Sequence, residues 1–165
     1  MMQIEYLIER QELIPELARL SLMEWFYLRP MLTLEAQIEI LRNHCGYRQI
    51  PTILVATSGD EILGSVALVP HSLKTRKCLS PWLDGVYVRP DHRKQGIASL
   101  LIRRIEEEAS ALGIRRLYLG TANAQAFYSR LGWQIIEKTA NEGIMVSVMQ
   151  KKVSVPSGAL KPKVA

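Results

Sequence analysis

The sequence predicts a mixed α/β fold in which one sheet carries helices on its faces. Three features predict it. Seven short stretches group or alternate apolar residues at strand length, and four other stretches space them at a helical period. Turn residues separate these stretches, giving the order β-α-α-β-β-β-α-β-α-β-β with no internal repeat. A chain of 165 residues suffices for a single domain with a real core, expected over residues 1–153.

Residues 3–9 alternate, with Ile4, Tyr6 and Ile8 on one face, as a strand does. Over 13–26, Leu13, Leu17, Leu20 and Met23 fall at helical spacing, and Pro15 fits because a first-turn N–H has no helical acceptor. Leu28-Arg29-Pro30 breaks that pattern. Thr33 is a good cap for a second helix with a stripe of Leu34, Ile38 and Leu41, ending before Gly46. Residues 52–56 and 62–69 read as strands paired around Ser58-Gly59-Asp60-Glu61. Residues 72–81 form a polar loop with Lys74, Arg76 and Lys77, and 83–88 is a fourth strand closed by Arg89-Pro90. A third helix opens at Gly96, with Ile97, Leu101, Ile105, Ala109 and Leu112 inward. Arg103, Arg104, Glu106, Glu107 and Glu108 face solvent, and Gly113 stops the helix in a left-handed position. Residues 116–121 are a fifth strand. Asn123 is expected to cap a short helix through Arg130, which Gly132 ends. Residues 133–138 and 144–150 pair around Asn141-Glu142-Gly143, and the aperiodic tail 154–165 is expected to be disordered.

The composition, 48% hydrophobic and 22% charged, is that of an ordinary soluble globular protein. A net charge of +5 favours anionic partners, a phosphorylated cofactor included. Nothing interleaves basic and aromatic residues as base stacking requires, so no nucleic acid is expected. No apolar run is long enough to span a membrane, and the start lacks a signal-peptide layout. Cys45 and Cys78 form neither a metal spacing nor a disulfide framework. A cytoplasmic protein is expected, as monomer or homodimer.

The chemistry concentrates in residues 83–98. An apolar strand runs into Arg93-Lys94-Gln95-Gly96-Ile97-Ala98, and a helix follows. A helix start presents free N–H groups and a positive dipole end to an anion, and glycine lets a ligand approach the backbone. The loop ends in neither Gly-Lys-Ser/Thr nor a G-x-G-x-x-G pattern, so two familiar nucleotide motifs are excluded. On its own it reads equally as a solvated basic turn.

With Val88-Arg89-Pro90 before it, this Arg-x-x-Gly-x-Ala resembles the acetyl-coenzyme A motif of the GNAT superfamily of N-acetyltransferases. A second stretch, Asn123-Ala-Gln-Ala-Phe-Tyr-Ser-Arg-Leu-Gly-Trp133, resembles that family's helix ending Phe-Tyr-x-x-x-Gly-aromatic. The resemblance is specific from Leu83 to Trp133. It implies a mixed, mostly antiparallel sheet of about seven strands flanked by about four helices, with a splay between strands 4 and 5. Acetyl-coenzyme A would be the co-substrate, with no metal. Val86, Tyr87 and Val88 would offer backbone groups to the pantetheine arm and thioester. The loop Arg93, Lys94, Gln95, Gly96, Ile97, Ala98 and Ser99 would cradle the pyrophosphate, and Asn123 would lie beside the coenzyme. Gln95 stands where the family often has glycine.

Tyr128 falls on the family's tyrosine, which protonates the departing thiolate. A phenol is a sensible donor to a thiolate, although by pattern alone Tyr128 reads as an aromatic packed beside Phe127. Asp84 has two readings: a general base toward the amine, on the same strand face as Val86 and Val88, or a cap at the strand entrance. Glu24 and Glu35 are weaker candidates, and His71 and His92 read as loop residues. Cys45 reads as a small buried residue, since no His relay accompanies it. Phe26, Tyr27 and Trp82 are expected as aromatic walls for the acceptor, and Lys74, Arg76 and Lys77 read either as an acceptor lure or as surface charge. The expected function is acetyl transfer to a primary amine of a small molecule or peptide by direct attack. A non-catalytic acyl-coenzyme A sensor is the alternative.

Overall fold

In the computed structural model, which describes residues 1–154, seven strands pair into one sheet in the order β1-β2-β3-β4-β5-β7-β6. They are β1 (Met2–Tyr6), β2 (Thr52–Ser58), β3 (Glu61–Val69), β4 (Trp82–Val88), β5 (Arg116–Thr121), β6 (Gln134–Asn141) and β7 (Ile144–Lys152). Four α-helices join them: α1 (Ile14–Trp25), α2 (Leu34–His44), α3 (Ile97–Ala111) and α4 (Gln125–Arg130). All neighbours are antiparallel except β4 and β5, which run parallel. The predicted fold class and element order hold. The expectation for the tail falls, over residues 155–165, outside the described residues.

Apolar alternation in the strands builds a core on each face of the sheet. Ile53 and Val55 of β2 pack with Leu13, Ile14 and Leu17 on the α1–α2 side. Leu54 of β2 and Leu117 and Leu119 of β5 pack with Leu101, Ile102 and Ile105 of α3. Thr33 caps α2 as predicted, its hydroxyl accepting from the Ala36 N–H at 3.1 Å.

Four local expectations need correction. The first strand ends at Tyr6, and a 3₁₀ turn over Leu7–Leu13 takes over, because Leu7 is drawn wholly into the α1–α2 core. Glu108 is not on a solvated face: only 4% exposed, it accepts from the Tyr6 hydroxyl (2.7 Å) and Arg104 (3.1 Å), partners that offset its desolvation. Asn123 does not cap α4; the helix begins later, and the Thr121 hydroxyl accepts from the Ala124 N–H. Trp82 is fully buried, its indole N–H donating to the Leu79 carbonyl, so it walls no pocket.

Two departures from regular pairing shape the middle of the sheet. β4 and β5 share one register pair, Trp82↔Tyr118, and then diverge. Against β3, Ala67 faces Asp84 and Ser65 faces Tyr87, so Val66 opposes both Gly85 and Val86. This is a β-bulge, made at a glycine with φ of +59°, a left-handed geometry costly for other residues. Gly64 of β3 seats the bulged strand: a Cβ there would stand 2.5 Å from the Tyr87 carbonyl oxygen and 3.1 Å from a Leu101 methyl. Gly64→Ala is therefore expected to destabilise the fold by about 1–3 kcal/mol through overpacking, read as a lowered midpoint in thermal or urea unfolding.

Candidate active site

The divergence of β4 from β5 opens a cleft through the sheet, because β4 beyond Trp82 has no ladder partner on its β5 side. Backbone amides and carbonyls on that edge of Val86, Tyr87 and Val88 are left for a ligand, since unpaired strand edges accept an extended partner. The Tyr87 side chain packs away from the cleft, in the α1–α2 core against Trp25 at 6.1 Å between ring centroids.

The bulge decides which side each β4 residue serves. Leu83, Val86 and Val88 belong to the α3 side of the core. Asp84, opposite Ala67, and Tyr87, opposite Ser65, belong to the α1–α2 side. Asp84 therefore does not share a face with Val86 and Val88, as simple alternation predicted, because the extra residue at Gly85–Val86 reverses the parity.

Asp84 sits where solvent reaches its carboxylate while surrounding protein displaces much of the water that would stabilise the charge. That desolvation raises its pKa above the ordinary carboxylate value. The Gly85 N–H (2.8 Å), the Ser72 hydroxyl (3.4 Å) and the charges of Arg29 and His44 oppose the rise without cancelling it. Tyr128, on α4, is buried on the α3 side, edge-on to Phe127 and Trp133. Burial first, and then the Asp84 charge across the splay, push its phenol up to about 12. A phenol so held stays protonated throughout the physiological range and remains a donor. The packed-aromatic reading of Tyr128 holds, with its ring set among Phe127 and Trp133.

The loop after β4 suits a phosphate. Lys94 and Gly96 both take left-handed conformations, φ +63° and +82°, which turn successive amides toward one side. No side chain caps α3, so the first-turn N–H groups of Ile97, Ala98 and Ser99 are not spent on a cap. A Cβ added at Gly96 would meet nothing within 4 Å, so open space lies over the cradle. Gln95 is exposed beside it. Arg93 has partners within the protein: its Nε–H donates to the Val88 carbonyl (2.9 Å), and Nη2 holds both carboxylate oxygens of Glu24 at 3.0 Å. It straps α1 to the loop, and Glu24 is thereby occupied. Asn123 lies in the bend between β5 and α4.

The remaining candidates separate cleanly. Cys45 is buried, and burial pushes its thiol up, the wrong direction for a nucleophile. Glu35 is exposed in the first turn of α2. His71 is exposed in the loop after β3, and His92 lies 3.3 Å from Glu61 in an ion-pair network that includes Arg89 and Asp91. Lys74 pairs with Glu142, and Arg76 with Glu137 of β6, so two of the three basic loop residues are held by the β6–β7 hairpin. Sequence reasoning missed Ser72, whose hydroxyl reaches Asp84 from a loop with no motif.

A family model for the acetyltransferase (GNAT) domain matches residues 49–135, more than half of the chain. Solved structures agree on the fold. An acetyltransferase of the GNAT family from Streptococcus pneumoniae superposes with a TM-score of 0.67 at 23% identity, covering 93% of this chain and 100% of that one. An aminoglycoside 6'-N-acetyltransferase complexed with coenzyme A gives 0.74 at 18% identity, covering 94% and 99%. A ribosomal-protein-alanine N-acetyltransferase from Brucella melitensis gives 0.72 at 20% identity, covering 92% and 99%. Splayed parallel strands, an uncapped helix start over a left-handed turn and a domain match spanning both are the marks of one family, and this chain belongs to the GNAT acetyltransferases.

Proposed function

We propose that the protein transfers the acetyl group of acetyl-coenzyme A to a primary amine of a small molecule or peptide by direct attack. The observation that carries this reading is the placement of Tyr128 and Asp84 on opposite sides of one splay, close enough for the Asp84 charge to act on the phenol. The coenzyme would supply an activated thioester. Amides of residues 94–99 would hold its pyrophosphate, and the free β4 edge at Val86–Val88 would take its pantetheine arm and bind the thioester oxygen.

Asp84 faces the α1–α2 side, so the acceptor enters there. Its ammonium gives a proton to the Asp84 carboxylate, and the free amine forms the new C–N bond to the acetyl carbon. The C–S bond breaks, and the leaving thiolate takes the Tyr128 proton. The nitrogen, cationic after attack, loses its second proton to water, the phenolate regains one from water, and Asp84 returns its own to solvent, so one amide, one thiol and one proton result. The aminoglycoside and ribosomal-protein-alanine enzymes among the similar folds are N-acetyltransferases by name, which supports an amine acceptor here. Both cysteines are free thiols, which suits a reducing compartment such as the cytoplasm.

Tyr128→Phe is expected to lower kcat by about 10²-fold or more, the usual worth of a positioned acid, and to leave coenzyme A affinity within twofold. Full retained activity removes Tyr128 from that role. Tight coenzyme binding by the wild-type protein without thiol release on any amine would identify a sensor module instead.

For Asp84 the pH dependence has a definite sign. The carboxylate must be ionised, and its pKa is raised, so kcat/KM climbs with pH through a midpoint above the usual carboxylate value of about 4. Tyr128 titrates too high to impose an alkaline limb. Asp84→Asn is expected to remove the Asp84 limb, leaving only the ionisation of the amine. The same shift makes the ionised carboxylate a cost to the native state, since the folded protein binds that proton more tightly than the unfolded chain. Asp84→Asn should therefore raise Tm at pH 7, and the gain should vanish below about pH 4, where both states are protonated.

Gly96→Ala tests the cradle: forcing φ of +82° on an L-residue costs about 1 kcal/mol. Coenzyme A affinity, measured by calorimetry, should fall while Tyr128-dependent chemistry at saturating coenzyme persists.

A further inference from the structure

The acceptor side of the cleft has a composition that no backbone motif dictates. The last turn of α1 lies over β4, where Trp25 packs on Tyr87 and Glu24 is held by Arg93. The chain then turns: Leu28 and Arg29 donate back to the Trp25 carbonyl, and Leu32 donates to that of Arg29. This connection stands on the face of the sheet that carries Asp84.

It is also where apolar surface is left open. Of the large apolar side chains exposed among the described residues, half fall between Met23 and Leu34, with Phe26 60%, Tyr27 72% and Met31 90% exposed. An apolar cluster so concentrated, beside a cleft, is the ordinary mark of a binding surface. Two opposite charges stand with it and lack partners. Among the described residues, Asp84 pairs with no cation and Arg29 with no carboxylate, although Arg29, like His44 at the end of α2, is close enough for its charge to act on Asp84; of the two, Arg29 is exposed and His44 is tied to the Ile40 carbonyl.

Polycationic acceptors fit this surroundings poorly. They require several free carboxylates, whereas Glu24 is already bound to Arg93 and the fixed charge of Arg29 repels a second ammonium. A zwitterion with an apolar side chain satisfies all three features together. Resting on the amine-acetylating reading above, we infer that the acceptor is an apolar α-amino acid: its ammonium at Asp84, its carboxylate at Arg29, and its side chain against Phe26, Tyr27 and Met31. Arg29 supplies the planar donor set that a carboxylate takes in two parallel hydrogen bonds.

The test measures coenzyme A release by the full chain with matched acceptors: phenylalanine, phenylalaninamide, phenethylamine, glycine, spermidine and an aminoglycoside. Phenylalanine should exceed glycine in kcat/KM by about tenfold or more, the worth of burying a side chain on the apolar surface. It should exceed its amide and phenethylamine by at least as much, because the latter two leave Arg29 without an anion. Arg29→Gln should raise the phenylalanine KM about tenfold, as loss of one ion pair requires, and should not raise the phenethylamine KM, since that amine gains nothing from Arg29. The double substitution Phe26→Ser with Tyr27→Ser should erase the preference over glycine. All three positions are exposed, so the variants are expected to fold, and thermal unfolding checks that they do.

Equal turnover of phenylalanine and its amide, or faster turnover of spermidine or the aminoglycoside, overturns the inference while leaving amine acetylation intact. Loss of a dimer on light scattering in the double variant, without a KM change, assigns the patch to contact between copies and likewise overturns it. No thiol release on any of the six amines counts against amine acetylation itself, and the inference falls with it.

Discussion

Everything in this molecule turns on how β4 leaves β5. The two strands run parallel and meet at one register pair, Trp82↔Tyr118. Trp82 anchors that point: it is fully buried, tied to Leu79 through its indole N–H and packed on Tyr118 at 5.8 Å between ring centroids. Beyond it, the sheet forgoes ladder hydrogen bonds, a loss tolerable only where the freed groups meet solvent or a ligand. α3 covers one face of the gap and α1 and α2 the other, so the opening survives as a cleft with two chemically different mouths.

The bulge at Gly85–Val86 assigns those mouths. Without it, the carboxylate of Asp84 would point with Val86 and Val88 toward the α3 side, where the phenol of Tyr128 already sits. With it, Asp84 faces the α1–α2 side and the phenol keeps the α3 side to itself. One extra residue thus puts the Asp84 carboxylate and the Tyr128 phenol on opposite sides of the sheet, the separation that the proposed base and acid roles require. The arrangement disfavours charge on both groups: each is partly stripped of water, and the Asp84 charge further disfavours ionisation of the phenol.

How far the sequence reveals this depends on what each part is made of. The order of elements, both glycine-ended helices and the phosphate turn are legible, because local backbone rules write them in adjacent residues. The bulge leaves only a faint trace that simple alternation passes over: Leu83, Val86 and Val88 are spaced three and then two apart around a glycine. Partnerships across the chain left no such trace. Arg93 is 69 positions from the Glu24 it holds, and Tyr6 is 102 from the Glu108 it buries. A charged residue on a helical stripe looks solvated until a distant strand covers it. Trp82 misled for the same reason, as an aromatic before a strand reads alike whether it lines a pocket or pins a sheet.

The two halves of the cleft are therefore encoded differently. The coenzyme half is backbone geometry: left-handed turns at Lys94 and Gly96, an uncapped helix and an unpaired strand edge. Such geometry constrains few side chains, yet it constrains them at fixed spacing, and the family match over residues 49–135 covers all of it. The half proposed for the acceptor draws side chains from α1, the α1–α2 connection and the loop carrying Ser72, and most of these lie before residue 49. They owe their positions to packing, not to spacing, so their identity is free to vary while the fold is held. Arg93 joins the halves, because its grip on Glu24 fixes α1 against the turn that the coenzyme would occupy. On the proposed reading, acceptor choice thus belongs to a surface that the shared framework carries but does not specify.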